Sequence, residues 1–211
     1  MRRALLVVDI QNDFCPGGAL GVKGGDDIIE PLNNVISAFE KAKLPVIYSR
    51  DWHPPDHISF KDRKGPWPPH CVQRTEGAEF RKSLKVDDNA LVIDKGDKRD
   101  EEAYSAFYGT GLKDLLERLD VDEIVIGGLT TDYCVKETSL DAFRAGLKVD
   151  VLEDCVRAVD VHSGDGEKAL KEVQKKGAKI TTSVAVVRGM AGTQQLSHHP
   201  GRARSSPDRP S

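Results

Sequence analysis

The chain has 211 residues, a formal net charge of −3 and 31% charged residues. A length near that of one domain argues against several independent cores, and the acidic balance argues against the basic field that nucleic-acid binding needs. Its four cysteines, Cys15, Cys71, Cys134 and Cys155, are scattered without a Cys-x-x-Cys pair, which speaks against a disulfide framework or a zinc-thiolate cluster.

The first element is ALLVVDI (4–10), a short apolar run rich in β-branched residues that reads as a buried strand. Asp9 ends this run too early for a signal-peptide core, and no stretch reaches the ~20 apolar residues of a membrane span. A cytoplasmic protein without membrane contact is expected. Ile28, Ile29, Leu32, Val35, Ile36 and Phe39 recur at helical spacing between Asp26 and Lys43. Acidic residues open that segment and lysines close it, as the helix dipole prefers. Strand VIYSR follows Pro45, and ALVIDKG (90–96) is the next strand. A helix is expected from Gly111 to Leu119, then strand EIVIGG (123–128). A helix over DYCVKETSLDAFRAG ends at Gly146, strand KVDVLEDC (148–155) follows, then a helix over Gly166–Lys176 and strand AKITTS (178–183).

Strands alternate with helices almost throughout, which is the pattern of an α/β fold with a mainly parallel sheet covered on both faces. The exception is 51–89, rich in proline and aromatic residues, which reads as an ordered functional loop. Residues 184–211 lack an apolar period and carry four Arg against one Asp. They read as a disordered tail, dispensable for turnover, behind a domain of residues 1–183. His198 and His199 lie in that tail.

Ligands of open parallel sheets bind beyond the carboxyl ends of the strands. Asp9, Lys95 and the segment ending in Cys134 all follow strand ends, so one cleft could hold the three. Each has a plainer reading as well: a strand-terminating carboxylate, a strand-end charge, a buried helix cysteine. A position after a strand and a Gly-Gly turn, near a helix start, would lower the Cys134 thiol pKa and offer N–H groups to an oxyanion. A neighbouring Asp9 could act as general base, with Lys95 tuning both. Three of the chain's six histidines, His53, His57 and His70, fall in the irregular segment beside Asp51. Asp51, His53 and His70 suit zinc, iron or manganese, although from spacing alone a solvated polar loop is the commoner reading.

At this point the blocks VVDIQNDFCPGGAL, SRDWHPPDHISF, GPWPPHCVQRTEGAEF and GGLTTDYCVKETSLDA, in this order, resemble the nicotinamidase/pyrazinamidase branch of the isochorismatase-like cysteine hydrolases. The resemblance covers nearly all of 1–183. It implies a three-layer α/β/α fold around a parallel six-stranded sheet, and members are often oligomeric. It implies an Asp9–Lys95–Cys134 triad that hydrolyses nicotinamide, or pyrazinamide, through a thioester. It implies one divalent metal, zinc first, with iron or manganese also accepted, on Asp51, His53 and His70. His57 matches a fourth ligand in some members and a near neighbour in others. It further implies an oxyanion hole from the N–H groups of Thr130 and Cys134, a cis peptide at Leu129–Thr130, and a ring pocket of Phe14, Leu20, Trp67, Tyr104 and Tyr133. Ordinary core packing is the plainer reading of Phe14 and Leu20. A related hydrolase of carbamoyl or ureido substrates would keep the triad without needing the metal set.

Overall fold

The computed structural model describes residues 2–196, the side chains of 193–196 excepted. Six parallel strands form one sheet: β1 (Arg3–Val8), β2 (Val46–Asp51), β3 (Leu91–Lys95), β4 (Glu123–Leu129), β5 (Lys148–Arg157) and β6 (Lys179–Thr181), in the order β3-β2-β1-β4-β5-β6. Helices α1 (Ile29–Lys41), α2 (Leu112–Arg118), α3 (Lys136–Arg144), α4 (Asp165–Lys175) and α5 (Ser183–Leu196) connect and cover it. No helix among the described residues is long and apolar enough to cross a membrane.

Strand position explains strand composition. β1 and β4 pair at the centre and are buried on both faces, so RALLVV and EIVIGGL carry apolar residues without alternation. β3 lies at the edge, where Leu91 and Val92 stay exposed. Two cores form, one on each face of the sheet. On one, α1 buries Leu32, Val35, Ile36 and Phe39 against Leu5, Val7 and Tyr48. On the other, Leu112, Leu116, Ala142 and Val173 pack on Leu6, Val8 and Ile126. Burial of each large apolar side chain contributes about 1.5–3 kcal/mol.

Three boundaries depart from expectation. β1 stops at Val8 because Asp9 turns to φ 49, leaving the strand conformation. Gly127 and Gly128 form no turn; they continue β4 as far as Leu129. A Cβ on Gly128, at φ 136, would lie 2.0 Å from the Val8 carbonyl, so glycine lets the two central strands meet. The third departure is α5, which occupies residues given above to a disordered tail. Asp154 accepts hydrogen bonds from Ser183 N–H (2.8 Å) and Oγ–H (2.5 Å), which fixes the helix start. Val186, Val187 and Met190 then pack into the α1 core. Gly189 and Gly192 hide this apolar face from a reading by periodicity. Residues 197–211, with His198 and His199, lie outside the described residues.

Candidate active site

β1 is where the strand order reverses, with β2 on one side and β4 on the other. Chains leaving the carboxyl ends of such neighbours part in opposite directions and open a crevice. Asp9 leaves β1 there. Asp51 ends β2, Lys95 ends β3, and Cys134 follows β4. All four side chains are buried.

Lys95 is the hub. Its Nζ donates to Asp51 Oδ1 at 2.5 Å, stands 2.9 Å from Asp9 Oδ2, and lies 3.4 Å from both Cys134 Sγ and the Ala103 carbonyl. Ser49 Oγ–H donates to Asp9 Oδ1 at 2.7 Å. Asp9 Oδ2 is thus ion-paired with the Lys95 ammonium, and an Asp9 carboxylate oxygen lies within 4.8 Å of Cys134 Sγ.

Burial raises the Asp9 carboxyl above its ordinary range, with Lys95 pulling back only in part. Asp51 feels the same burial, but Lys95 and His53 outweigh it and hold its carboxyl well below the usual range. Burial opposes charge on Lys95 too, yet Asp51 and Asp9 keep it protonated far above the normal lysine range. The thiol departs from expectation. Burial pushes Cys134 well above the ordinary cysteine value, and Asp9 and Asp51 add to this against Lys95. Cys134 sits in a π-helical turn, Thr131–Val135, that precedes α3, and desolvation there outweighs any help from a helix start. Burial beside two carboxylates thus favours the protonated sulfur.

The peptide Leu129–Thr130 is cis. The Thr130 N–H meets no acceptor among the described residues, whereas the Thr130 carbonyl receives the Val135 N–H at 3.0 Å. Asp132, buried, accepts from the N–H groups of Val159 (3.0 Å) and Asp160 (2.9 Å), tying the Cys134 turn to the segment after β5.

Asp51, His53 and His70 bring one oxygen and two nitrogens within 4.8 Å of one another. His70 reaches this point because Cys71–Gln73 runs alongside His53: His53 N–H donates to Cys71 O at 3.0 Å and Gln73 N–H to His53 O at 2.8 Å. His53 Nδ1–H donates to Gly96 O and His70 Nδ1–H to Pro68 O, both at 2.8 Å. Both rings turn Nε2 toward Asp51; burial opposes charge on His53, but Asp51, 3.5 Å from its Nε2, raises its pKa. Burial drives His70 down to about 4, so it is neutral near pH 7. Tautomers fixed by backbone carbonyls, with a carboxylate between them, fit a divalent cation. His57 does not join them. Its Nε2–H donates to Glu101 O at 2.8 Å and its Nδ1 accepts from Ser59 Oγ–H at 2.7 Å, so both nitrogens are spent. It stacks on His53 with ring centroids 4.2 Å apart and buttresses that ring.

Phe14, Leu20, Trp67, Tyr104 and Tyr133 line one cavity with Asp51, His70, Thr130 and Cys134. Trp67 Nε1–H donates to Tyr104 Oη at 3.0 Å, and Tyr133 meets the Trp67 ring edge-on at 5.1 Å. Val159 completes the wall; its chain-distant position gave no sign of it in the sequence. A wider groove near Glu40, Tyr48 and Leu91 holds neither cysteine nor histidine, so size does not mark the site.

The isochorismatase-domain model matches residues 3–185. The chain belongs to the isochorismatase family. It is 40% identical over 201 residues to the nicotinamidase of Escherichia coli (strain K12), covering 85% of this chain and 94% of that protein. The crystal structure of the Pyrococcus horikoshii pyrazinamidase in complex with zinc superposes with a TM-score of 0.83 at 44% identity, over 86% of this chain and 99% of that one. PnC1 from L. infantum in complex with nicotinate gives 0.81 at 35% identity, over 87% and 94%.

Proposed function

We propose that the protein hydrolyses nicotinamide to nicotinate and ammonia through a Cys134 thioester, with a divalent metal bound by Asp51, His53 and His70. The observation that carries the reading is the Lys95 ammonium held among Asp9, Asp51 and Cys134, of which Asp51 and Cys134 line the aromatic cavity. The amide hydrolysed by similar proteins is a flat, single-ring molecule, which suits walls of Trp67, Tyr104, Tyr133 and Phe14. Zinc is the proposed ion, on the oxygen–nitrogen donor set and the zinc-bound relative. When bound, the ion supplies a Lewis-acid contact for the ring nitrogen, which orients the ring.

The protein residues carry the chemistry. Asp9 Oδ2 takes the Cys134 proton as sulfur attacks the carboxamide carbon. Its raised pKa makes it a stronger base than an ordinary carboxylate, and such general-base help is worth about 10²–10⁴-fold in rate. Lys95 stays charged and balances the anions formed. The N–H groups of Thr130 and Cys134 are assigned to the oxyanion, each worth about 10²–10³-fold. Asp9 returns its proton to the leaving nitrogen, and the C–N bond breaks to give ammonia and the thioester. Asp9 then takes a proton from water, whose oxygen attacks the thioester. The C–S bond breaks, and the proton returns to sulfur as nicotinate leaves.

The test is ammonia release from nicotinamide by the purified chain, with mass spectrometry of protein quenched during turnover. A mass increase of one nicotinoyl group on Cys134 is expected. Turnover without any acyl adduct, together with full activity of Cys134→Ala, would refute the covalent route.

A further inference from the structure

Gln11 lies three residues past the end of β1 and is fully buried. Asp9 has by then swung out of strand conformation, so β1 can no longer pair with β2 beyond Ser49: the register ends at Val8↔Ser49, with one last bond from Asp9 N–H to Ser49 O at 3.1 Å. In a parallel strand the N–H and C=O of one residue point to the same neighbour. At Asp51 both point toward the place β1 has vacated.

The Gln11 side chain fills that place. Its Oε1 accepts the Asp51 N–H at 2.8 Å, and its Nε2–H donates to the Asp51 carbonyl at 2.8 Å. A second Nε2–H donates to Ala78 O at 2.9 Å. The amide group copies one peptide of the missing strand. On the opposite edge Asp51 pairs with Lys95 of β3. The backbone N–H and C=O of Asp51 are therefore held by Gln11, and β3 holds the next residue, Trp52 N–H donating to Lys95 O at 2.9 Å, while the Asp51 carboxylate divides between Lys95 (Oδ1, 2.5 Å) and His53 Nε2 (Oδ2, 3.5 Å).

We infer that Gln11 is a positioning residue for the metal triplet and the lysine hub, acting through the backbone of Asp51 without touching substrate or metal. The inference rests on the metal reading proposed above. A side chain that fixes a metal ligand's orientation typically controls 10–100-fold in metal affinity.

The test uses the full chain, stripped of metal and titrated with Co²⁺, with absorption in the visible as readout. Gln11→Met keeps the shape and loses the bonds to Asp51; Gln11→Asn keeps the amide but withdraws it by one methylene. Tyr48→Phe is the control. It removes a buried hydrogen bond on β2, Tyr48 Oη–H to Lys85 O at 2.8 Å, away from the site. All three should lower the melting temperature. Only the Gln11 variants should bind Co²⁺ at least tenfold more weakly. If Gln11→Met does not fold, Gln11→Asn decides. Wild-type Co²⁺ affinity in a folded Gln11 variant would overturn the inference and leave the metal reading standing. No Co²⁺ binding by the wild-type chain would overturn the metal reading, and the inference with it.

Discussion

Gly96→Ala should damage the metal triplet from behind. Gly96 follows Lys95 at φ 61, in the left-handed region, and its carbonyl accepts the His53 Nδ1–H. A Cβ there would stand 2.5 Å from His53 Cε1 and 2.8 Å from Nδ1. Left-handed backbone costs a non-glycine residue about 1–2 kcal/mol. Overpacking a rigid site costs about 1–3 kcal/mol more, and His53 has little room to yield because His57 stacks on it and Phe60 meets it edge-on. The expected loss is about 2–5 kcal/mol, a fall of roughly 4–20 °C in melting temperature for a chain of this size. Gly146→Ala separates the two causes. Gly146 has φ 83 and nothing within 4 Å of its would-be Cβ, so it pays the backbone cost alone. Thermal melts of both variants, with Co²⁺ titrations, form the assay. Gly96→Ala should melt below Gly146→Ala and bind Co²⁺ about 10–100-fold more weakly than wild type. Equal melts and wild-type Co²⁺ affinity would refute the claim that His53 is held rigidly against Gly96.

Lys95→Met should leave Asp9 and Asp51 buried without their shared counter-charge; a loss of about 3–5 kcal/mol by urea unfolding is expected, with ammonia release abolished. Turnover should show an acid limb from Asp9. The base must be ionised, and burial raises its pKa, so kcat/KM should fall with falling pH above the ordinary aspartate range; a profile flat down to pH 4 would contradict this. Chelator treatment should suppress ammonia release and added Zn²⁺ should restore it, whereas chelator-resistant turnover would remove the metal from the reaction. Truncation after Ser183 deletes α5 and uncovers α1; loss of Val186 burial alone predicts at least about 1.5 kcal/mol, read by thermal melt.

The alternation of strands and helices was legible because apolar runs and amphipathic periods are local. The convergence of Asp9, Lys95 and Cys134 was legible because parallel strands deliver their ends to one edge. What escaped depends on geometry that no period reports. Gln11 reads as a polar residue after a strand, and its role appears only once Asp9 has turned to positive φ. His57 and His70 are equal candidates by composition. They part because the loop brings Glu101 and Ser59 to one and leaves the other a free Nε2. The thiol was expected low from its place by a helix start, but full burial beside two carboxylates dominates. Gly127-Gly128 reads as a turn, and its service to strand contact shows only where β4 touches Val8.

The central place of β1 has a consequence for synthesis. Arg3 pairs with Glu123, so one edge of the first strand made waits for a partner about 120 residues later. At roughly 5–20 residues per second, that edge goes unpaired for about 6–24 s. Of the sheet, only β1, β2 and, from residue 95 on, β3 have been made in this interval, and the β4-facing edge of β1 has no strand to pair with. The nascent chain is then most exposed to sticking to its neighbours, and a ribosome-associated chaperone would find its target there.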